Sequence, residues 1–443
     1  MTRLPLLTAT LLVVAMGATG RAGAASAWSV TPTPSPRLAS RAVLSSVSCP
    51  APRKCVAVGY DVDAANTPVP LSERWNGARW VIQPTPALPG ATAGFLFGVS
   101  CVTPRSCTAV GSVTGTVATA ILAERWNGVR WAIQPVPAPV RRVRAAHPTA
   151  YLAAVSCPSA GACTAVGYAG NRAGTAGTVL ALRWTRTAGW RTQPIPAPRH
   201  TGAAFLSGVS CASVTVCTAV GSETTSGGRG AVLAERWTRN HWRSEPIPTP
   251  AGSQSVQLTG VSCPTSSSCT AVGYFDTAGI DVMLAERREA ARWVIGRARY
   301  PHGARSARFA QVSCPTPRSC TAVGLLNGVD GLNAPLAERW TPRGWTVQPT
   351  PGPGTATAPA DAELSGVSCP RSARCVAVGA VEPLSGGGSA LAEADRPVAV
   401  SPRLARGGAP SPGGHGRETS PSSWRRPRGP ATRSPGPSPA TSW

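Results

Sequence analysis

The chain has 443 residues and a formal net charge of +24, yet 42% of it is hydrophobic and only 14% is charged. That much apolar sequence excludes a wholly disordered chain, which could not offset the entropy of ordering. Lys54 is the only lysine, so the positive excess is arginine, and high-GC coding accounts for part of it as readily as a polyanionic partner does.

In chain order, Arg3 and the apolar run Leu4 to Ala18 come first. Small residues follow, with Ala22-Gly23-Ala24 and Ala25-Ser26-Ala27 as A-x-A cleavage sites. This pattern predicts a secretory signal over residues 1–27. The run is too short for a retained transmembrane anchor, and no later stretch is long enough to span a bilayer.

Residues 28–395 carry one cassette seven times. Its clearest copy runs from Leu206 to Pro250: LSGVSC, five residues, CTAVG, a variable stretch, LAERW, a short turn, Trp242, then EPIPTP. All fourteen cysteines fall into it as C-x5-C pairs, and successive first cysteines are 51 to 56 residues apart. The pairs are Cys49/Cys55, Cys101/Cys107, Cys157/Cys163, Cys211/Cys217, Cys263/Cys269, Cys314/Cys320 and Cys369/Cys375. A repeat of this length cannot bury its own core, so the copies are expected to stack into one domain.

A full copy contains four runs of strand length and no helical periodicity, which predicts an all-β repeat. Cysteines facing each other across neighbouring antiparallel strands are within reach of a disulfide, so each pair is expected to staple its own hairpin. The single shared spacing fits structural bridges in an exported protein. It does not fit zinc, whose ligands are spaced more tightly, and none of the five histidines recurs. No cofactor is expected.

The third and fourth strands are joined by W-N-G-x-x-W in the first two copies, Trp75 to Trp80 and Trp126 to Trp131. Asn-Gly supplies the positive φ of a tight hairpin. The related pairs Trp184/Trp190, Trp237/Trp242 and Trp340/Trp345 are read as packing between units, since a sugar platform would not recur at every turn. In the fifth copy Arg288 replaces the first Trp. Glu73, Glu124, Glu235, Glu286, Glu338 and Glu393 recur in the third strand and are read as making a repeated structural bond.

The seventh copy lacks its Trp-x-x-Gln-Pro strand, and Trp28 to Pro34 supplies a matching one at the other end of the chain. The expected fold is therefore a seven-bladed β-propeller with four antiparallel strands per blade, the last blade closed by the N-terminal strand. The order L-x-x-V-S-x, A-V-G, strand, tight turn and Trp resembles the Asp-box (BNR) repeats of sialidase-like and photosystem-assembly-factor-like propellers over roughly residues 28–395. In that class the Asp-box turn joins the third and fourth strands, where W-N-G-x-x-W lies here. The Ser-x-Asp-x-Gly-x-Thr-Trp signature is absent and the C-x5-C staple is added. The cassette is also similar to secreted actinobacterial repeat proteins with V-S-C…C-x-A-V-G.

Strand direction puts the C-x5-C and W-N-G turns on one face, and the loops between strands 2 and 3 with the inter-unit connections on the other. The second set varies, and variable loops on a rigid scaffold are where recognition sits. Candidate ligand-binding residues there are Asp61 and Asp63, with a weak likeness to a calcium loop, and the basic cluster Arg141, Arg142 and Arg144. No motif supplies catalytic residues. The functional expectation is a secreted or envelope-associated, monomeric, non-catalytic scaffold binding a protein or glycan. The alternatives are a sialidase-like or lyase-type enzyme, and a charge-driven binder of anionic wall polymer. Nucleic acid is disfavoured by export and by the lack of an aromatic-basic motif. Residues 396–443, rich in Pro, Gly, Ser and Arg, read as a disordered basic tail.

Overall fold

The computed structural model describes residues 27–34, 41–138, 148–171, 177–196, 202–225, 227–289, 291–352, 360–372, 374–384 and 387–396. The first 26 residues and the tail from residue 397 lie outside them. The described residues form strands and turns, with no helix among them.

Each sequence repeat folds as a four-stranded antiparallel meander. In the fourth, the strands are Ala204–Ser213, Val216–Thr224, Gly230–Thr238 and His241–Ser244. Cys211 sits opposite Cys217, Cys217 opposite Trp237, and Trp237 opposite Trp242. Five of the six sheets have four strands. The sixth has eight, because the meanders of repeats 2 and 3 are joined by a parallel pair at Thr119 and Thr149.

The expected bridges form in all seven copies, with Cα–Cα distances of 3.9 to 4.1 Å. No cysteine is free. Seven disulfides point to an oxidising compartment. No described helix is long and apolar enough to cross a membrane.

The bridges staple their own hairpins, as expected, and they also pack between repeats. Cys107, Cys217, Cys269 and Cys320 are each 1% exposed, and Cys55, Cys163 and Cys375 are 2% exposed. The second strand has a neighbour on either side within its meander, and the preceding repeat covers its face. Cys107 packs with Val56 and Val58 of repeat 1, Cys269 with Val220 and Ala234 of repeat 4, and Cys320 with Val272 and Ala285 of repeat 5. Thr270 Oγ1 of repeat 5 lies 3.4 Å from Cys320 Sγ, and Thr218 Oγ1 of repeat 4 lies 3.7 Å from Cys269 Sγ. Thiol exchange needs access to a sulfur. Cys107, Cys269 and Cys320 are therefore core residues between repeats, closed to solvent and to ligand.

The invariant parts of the cassette have separate physical causes. The glycine of A-V-G lies against the first strand of its own meander. A Cβ at Gly221 would stand 2.0 Å from the Phe205 carbonyl oxygen, and one at Gly379 would stand 1.8 Å from that of Glu363. The first strand also bulges after its core leucine, between Leu206 and Gly208 in repeat 4. There it touches the next first strand, and Gly208 faces the Cα of Gly260.

The serine of V-S-C reaches into the neighbouring repeat. Ser48 Oγ accepts a hydrogen bond from the Cys101 N–H, and Ser100, Ser156, Ser210, Ser262 and Ser313 do the same for Cys157, Cys211, Cys263, Cys314 and Cys369. Ser368 then accepts from Cys49, between the last repeat and the first. All seven distances are 2.9 to 3.0 Å.

The N-terminal strand Ala27–Val30 pairs with Ser389–Arg396 of the seventh repeat, with Trp28 opposite Asp395. Its Thr31 N–H continues the ladder to Ala392 O at 2.8 Å, as Glu245 N–H does to Ala234 O at 2.9 Å in repeat 4. The same repeat packs on the first: Val378, Ala390 and Ala392 share a core with Ala42, Leu44 and Trp80.

Candidate functional site

The first strand of each meander carries its core residue at one position: Leu44, Leu96, Leu152, Leu206, Leu258, Phe309 or Leu364, each at most 1% exposed. Side chains alternate along a strand. The residue before the core position therefore points away from it, and both flanking residues are partly exposed in every copy except repeat 1, where Val43 is buried. In repeats 2 to 4 the residue before the core position is Phe95, Tyr151 or Phe205; in repeats 5 to 7 it is Gln257, Arg308 or Glu363.

Ring contacts run through repeats 1 to 3. Tyr60 meets the edge of Phe95 at 5.0 Å, Phe95 stacks on Phe97 at 5.9 Å, Phe97 meets Tyr151 at 6.0 Å, and Tyr151 meets Tyr168 at 5.7 Å. Aromatic pairs at these separations add stability beyond their buried area. Burial pushes the Tyr151 and Tyr168 hydroxyls above their ordinary range, so both stay neutral donors at physiological pH.

The polar half surrounds a cavity of about 200 Å³ lined by Gln257, Thr259, Tyr274, Arg308, Glu363 and Ser365 among others. Tyr274 Oη donates to Gln257 Oε1 at 2.8 Å, and the Arg308 guanidinium lies 5.8 Å from the Tyr274 ring centre. Thr259 Oγ1 donates to the Val272 and Phe309 carbonyls, at 3.1 and 3.0 Å. Glu363 is the one carboxylate at the core-flanking positions.

Asp61 and Asp63 lie at the end of the second strand of repeat 1 and in the loop after it. Asp63 Oδ1 accepts from the Ala65 and Thr67 N–H groups, both at 2.9 Å, so this oxygen braces its own turn. Burial raises the Asp61 carboxyl above its ordinary value. Among the described residues no three His, Cys, Asp or Glu side chains group as metal ligands. Arg141, Arg142 and Arg144 lie outside the described residues. The residues that do come together form two groups, Phe95, Phe97 and Tyr151 in ring contact and Gln257, Arg308 and Glu363 around one cavity, and neither group was singled out from sequence. Their signal was a column that changes while its neighbours stay constant.

The recurrent glutamates are buried, 0 to 1% exposed. Burial pushes Glu73, Glu286 and Glu393 up to about 8, and Glu124, Glu235 and Glu338 up to about 7. The expected structural bond is present at two of them. Glu235 accepts from Ser244 Oγ at 2.6 Å, and Glu338 accepts from the Arg299 N–H at 3.3 Å. At Glu73, Glu124, Glu286 and Glu393 neither carboxylate oxygen has a protein partner among the described residues. A buried carboxyl lacking a counter-charge stays protonated.

The tryptophans pack between repeats, as expected: Trp190 with Val110 and Ala123 of the preceding repeat, Trp242 with Val166 and Ala181. The arginine of LAERW completes these junctions. Arg125 donates to Thr108 Oγ1 at 3.2 Å and the Ala160 carbonyl at 3.5 Å, and lies 3.6 Å from the Trp184 ring centre of the next repeat. Arg183 repeats this with Thr164, the Val214 carbonyl and Trp237, and Arg287 with Thr270, the Pro317 carbonyl and Trp340.

Where the ring is replaced, the partner changes too. Arg288 stands at the Trp position, and Glu245 replaces the usual Gln one repeat earlier. Glu245 holds Arg288 through two hydrogen bonds of 2.9 and 3.0 Å and lies 3.6 Å from Arg236. Asp395 stands at the Trp position of repeat 7 and pairs with Arg339.

No family model matches the chain, and no curated protein matches it. Solved structures are similar to it at low identity. The fucose-specific lectin from Aleuria aurantia has a TM-score of 0.42 at 10% identity, covering 71% of this chain and 96% of the lectin. The Trypanosoma rangeli sialidase in complex with the inhibitor DANA has a TM-score of 0.43 at 9% identity, covering 72% and 56%. Sqt1 from Chaetomium thermophilum has a TM-score of 0.40 at 12% identity, covering 77% and 93%. At these scores none of them carries a ligand or an activity over to this chain.

Proposed function

We propose that the seven repeats are the blades of a closed seven-bladed β-propeller, and that the protein is an exported, non-catalytic binding scaffold. It takes a protein segment or glycan of the cell envelope at the variable-loop end of the first strands. Residues 1–27 act as the export signal, 28–395 as the propeller, and 396–443 as a basic tail; the protein works as a monomer. Ring closure is supported by the serine hydrogen bonds, which run from repeat to repeat and return from Ser368 to Cys49. It is supported also by the order in which the first strands neighbour one another, Ala360–Arg371 returning to Arg41–Ala51.

One observation carries the binding role. The position before the core residue of the first strand is aromatic in repeats 2 to 4 and polar in repeats 5 to 7, while the V-S-C and A-V-G positions stay nearly constant. A concave lining of apolar faces with a few placed polar groups is the general form of a ligand site. Asp61, Asp63 and the stretch holding Arg141, Arg142 and Arg144 are proposed to belong to the same end.

The test is retention of the full mature chain on isolated cell walls across a salt series, beside a variant carrying Phe97→Ala, Tyr151→Ala and Arg308→Ala. Retention that survives about 0.5 M salt, where exposed charge pairs are screened, and falls about tenfold in the variant is the expected result. Equal retention of the two proteins that vanishes with salt sinks the site and leaves the anionic-polymer reading, which the net charge of +24 favours.

A further inference from the structure

The junction between the seventh and first repeats differs from the others. Six repeats carry an arginine before the Trp position of the third strand: Arg74, Arg125, Arg183, Arg236, Arg287 and Arg339. The seventh carries Ala394. Its second strand has Val376 where repeats 2 to 6 place a threonine beneath the guanidinium.

A cavity of about 460 Å³ opens there, lined by Ala394, Val376, Cys55, Pro52, Trp75 and Asp395 among others. Each of the first five has a counterpart at the filled junctions. Ala394 stands in place of the arginine and Val376 in place of Thr108. Cys55 matches Cys163, which takes Arg125 Nη1 at 3.9 Å. Pro52 stands three residues before its cysteine, as Ala160, Val214 and Pro317 do, and their carbonyls accept from the guanidinium. Trp75 supplies the ring that Trp184 and Trp340 offer to Arg125 and Arg287. The cavity is thus an arginine slot whose own arginine is missing.

We propose that this slot binds a guanidinium group, the head of an arginine side chain presented by a peptide partner. The ring face of Trp75 would hold it by cation–π attraction, and the Pro52 carbonyl would accept its N–H groups. The buried Asp395 carboxylate adds a negative charge to the same wall; it also pairs with Arg339. Arg53 from an exposed turn and Arg374 from the exposed start of its strand reach the lining. Their charge opposes a bare cation at the mouth and favours an arginine that arrives with its own backbone carbonyls. The slot lies on the face of the C-x5-C and W-N-G turns, opposite the variable loops, so it stands or falls independently of the site proposed above.

The probe is N-acetyl-argininamide, with N-acetyl-citrullinamide as its neutral isostere. The readout is the indole N–H signal of Trp75 in the full mature chain labelled with 15N-tryptophan, assigned by its loss in Trp75→Phe. The expected result is a saturable shift with the arginine probe and binding about tenfold or more weaker with citrulline. Ala394→Arg fills the slot in cis, so it should abolish the shift and raise Tm by about 2 °C or more. Ala394→Met, which fills the space without charge, should abolish the shift as well. No saturable shift in the parent protein overturns the proposal. So does equal binding of the two probes, or a shift that persists when either variant is folded.

Discussion

Arg288 and Glu245 show how one residue change is absorbed. A tryptophan is a suitable neighbour for the arginine of the preceding repeat, whereas an arginine in that place sets two like charges side by side. Glu245 pairs with both, and it also accepts from Trp293 Nε1 at 3.2 Å. Arg288 is 5% exposed, so removing its carboxylate leaves a buried charge without its main counter-ion. Glu245→Gln is therefore expected to cost about 3 kcal/mol or more in denaturant unfolding. Arg288→Trp added to it restores the consensus pair and should recover most of the loss. Equal stability of the single and double variants would show that the two positions are not coupled.

At the scale of the element, the strand Ala27–Val30 is an integral part of a sheet formed with residues more than 360 positions away. Trp28 is 5% exposed and shares a core with Leu364, Cys369, Cys375 and Leu391. Trp80 Nε1 in turn donates to Thr31 Oγ1 at 3.3 Å, so the N-terminal segment is linked to the first repeat as well as the last. Trp28→Ala should cost about 3–5 kcal/mol, close to the effect of Trp242→Ala inside repeat 4. Measured in parallel by chemical denaturation, a cost for Trp28→Ala well under 1 kcal/mol would mean that the strand is loosely appended and does not close the seventh sheet.

For the whole molecule, the buried glutamates give a direction to the pH dependence of stability. Their folded values, about 7 to 8, lie above the ordinary 4.5. Between those limits the folded chain keeps protons that the unfolded chain has released. The associated stability is complete below pH 4.5 and is lost as pH rises through 7 to 8. Replacing Glu73, Glu286 and Glu393 by Gln removes that dependence at three sites. The triple variant should match the parent near pH 5 and exceed its Tm at pH 8.5 by about 2 °C or more. A parent protein whose advantage over the variant grows with alkaline pH would reverse the assignment of these groups as neutral acids.

The amino-acid sequence by itself determined the repeat, the strands, the disulfide pairs and the partner of the unfinished seventh meander. Those features are written in local spacing. Cysteines at a fixed separation, Asn-Gly turns and alternating apolar residues act within one cassette, and Trp28 is legible because it copies a pattern present elsewhere in the chain. What only the tertiary structure decided lies between cassettes. The pairing of Cys269 with Cys263 is legible in their spacing, but its burial under Val220 and Ala234 of the preceding repeat is not. The serine of V-S-C looks like an ordinary strand residue until the next cysteine N–H is placed against it. Ala394 looks like drift until the cavity beside it is seen, and Phe97 meets Tyr151, and Arg308 and Glu363 share one cavity, only because their strands are neighbours. Sequence patterns report which face of its own strand a residue occupies. Which residue of another repeat meets it depends on how the meanders pack, and that is fixed by close contact of buried faces, not by separation along the chain.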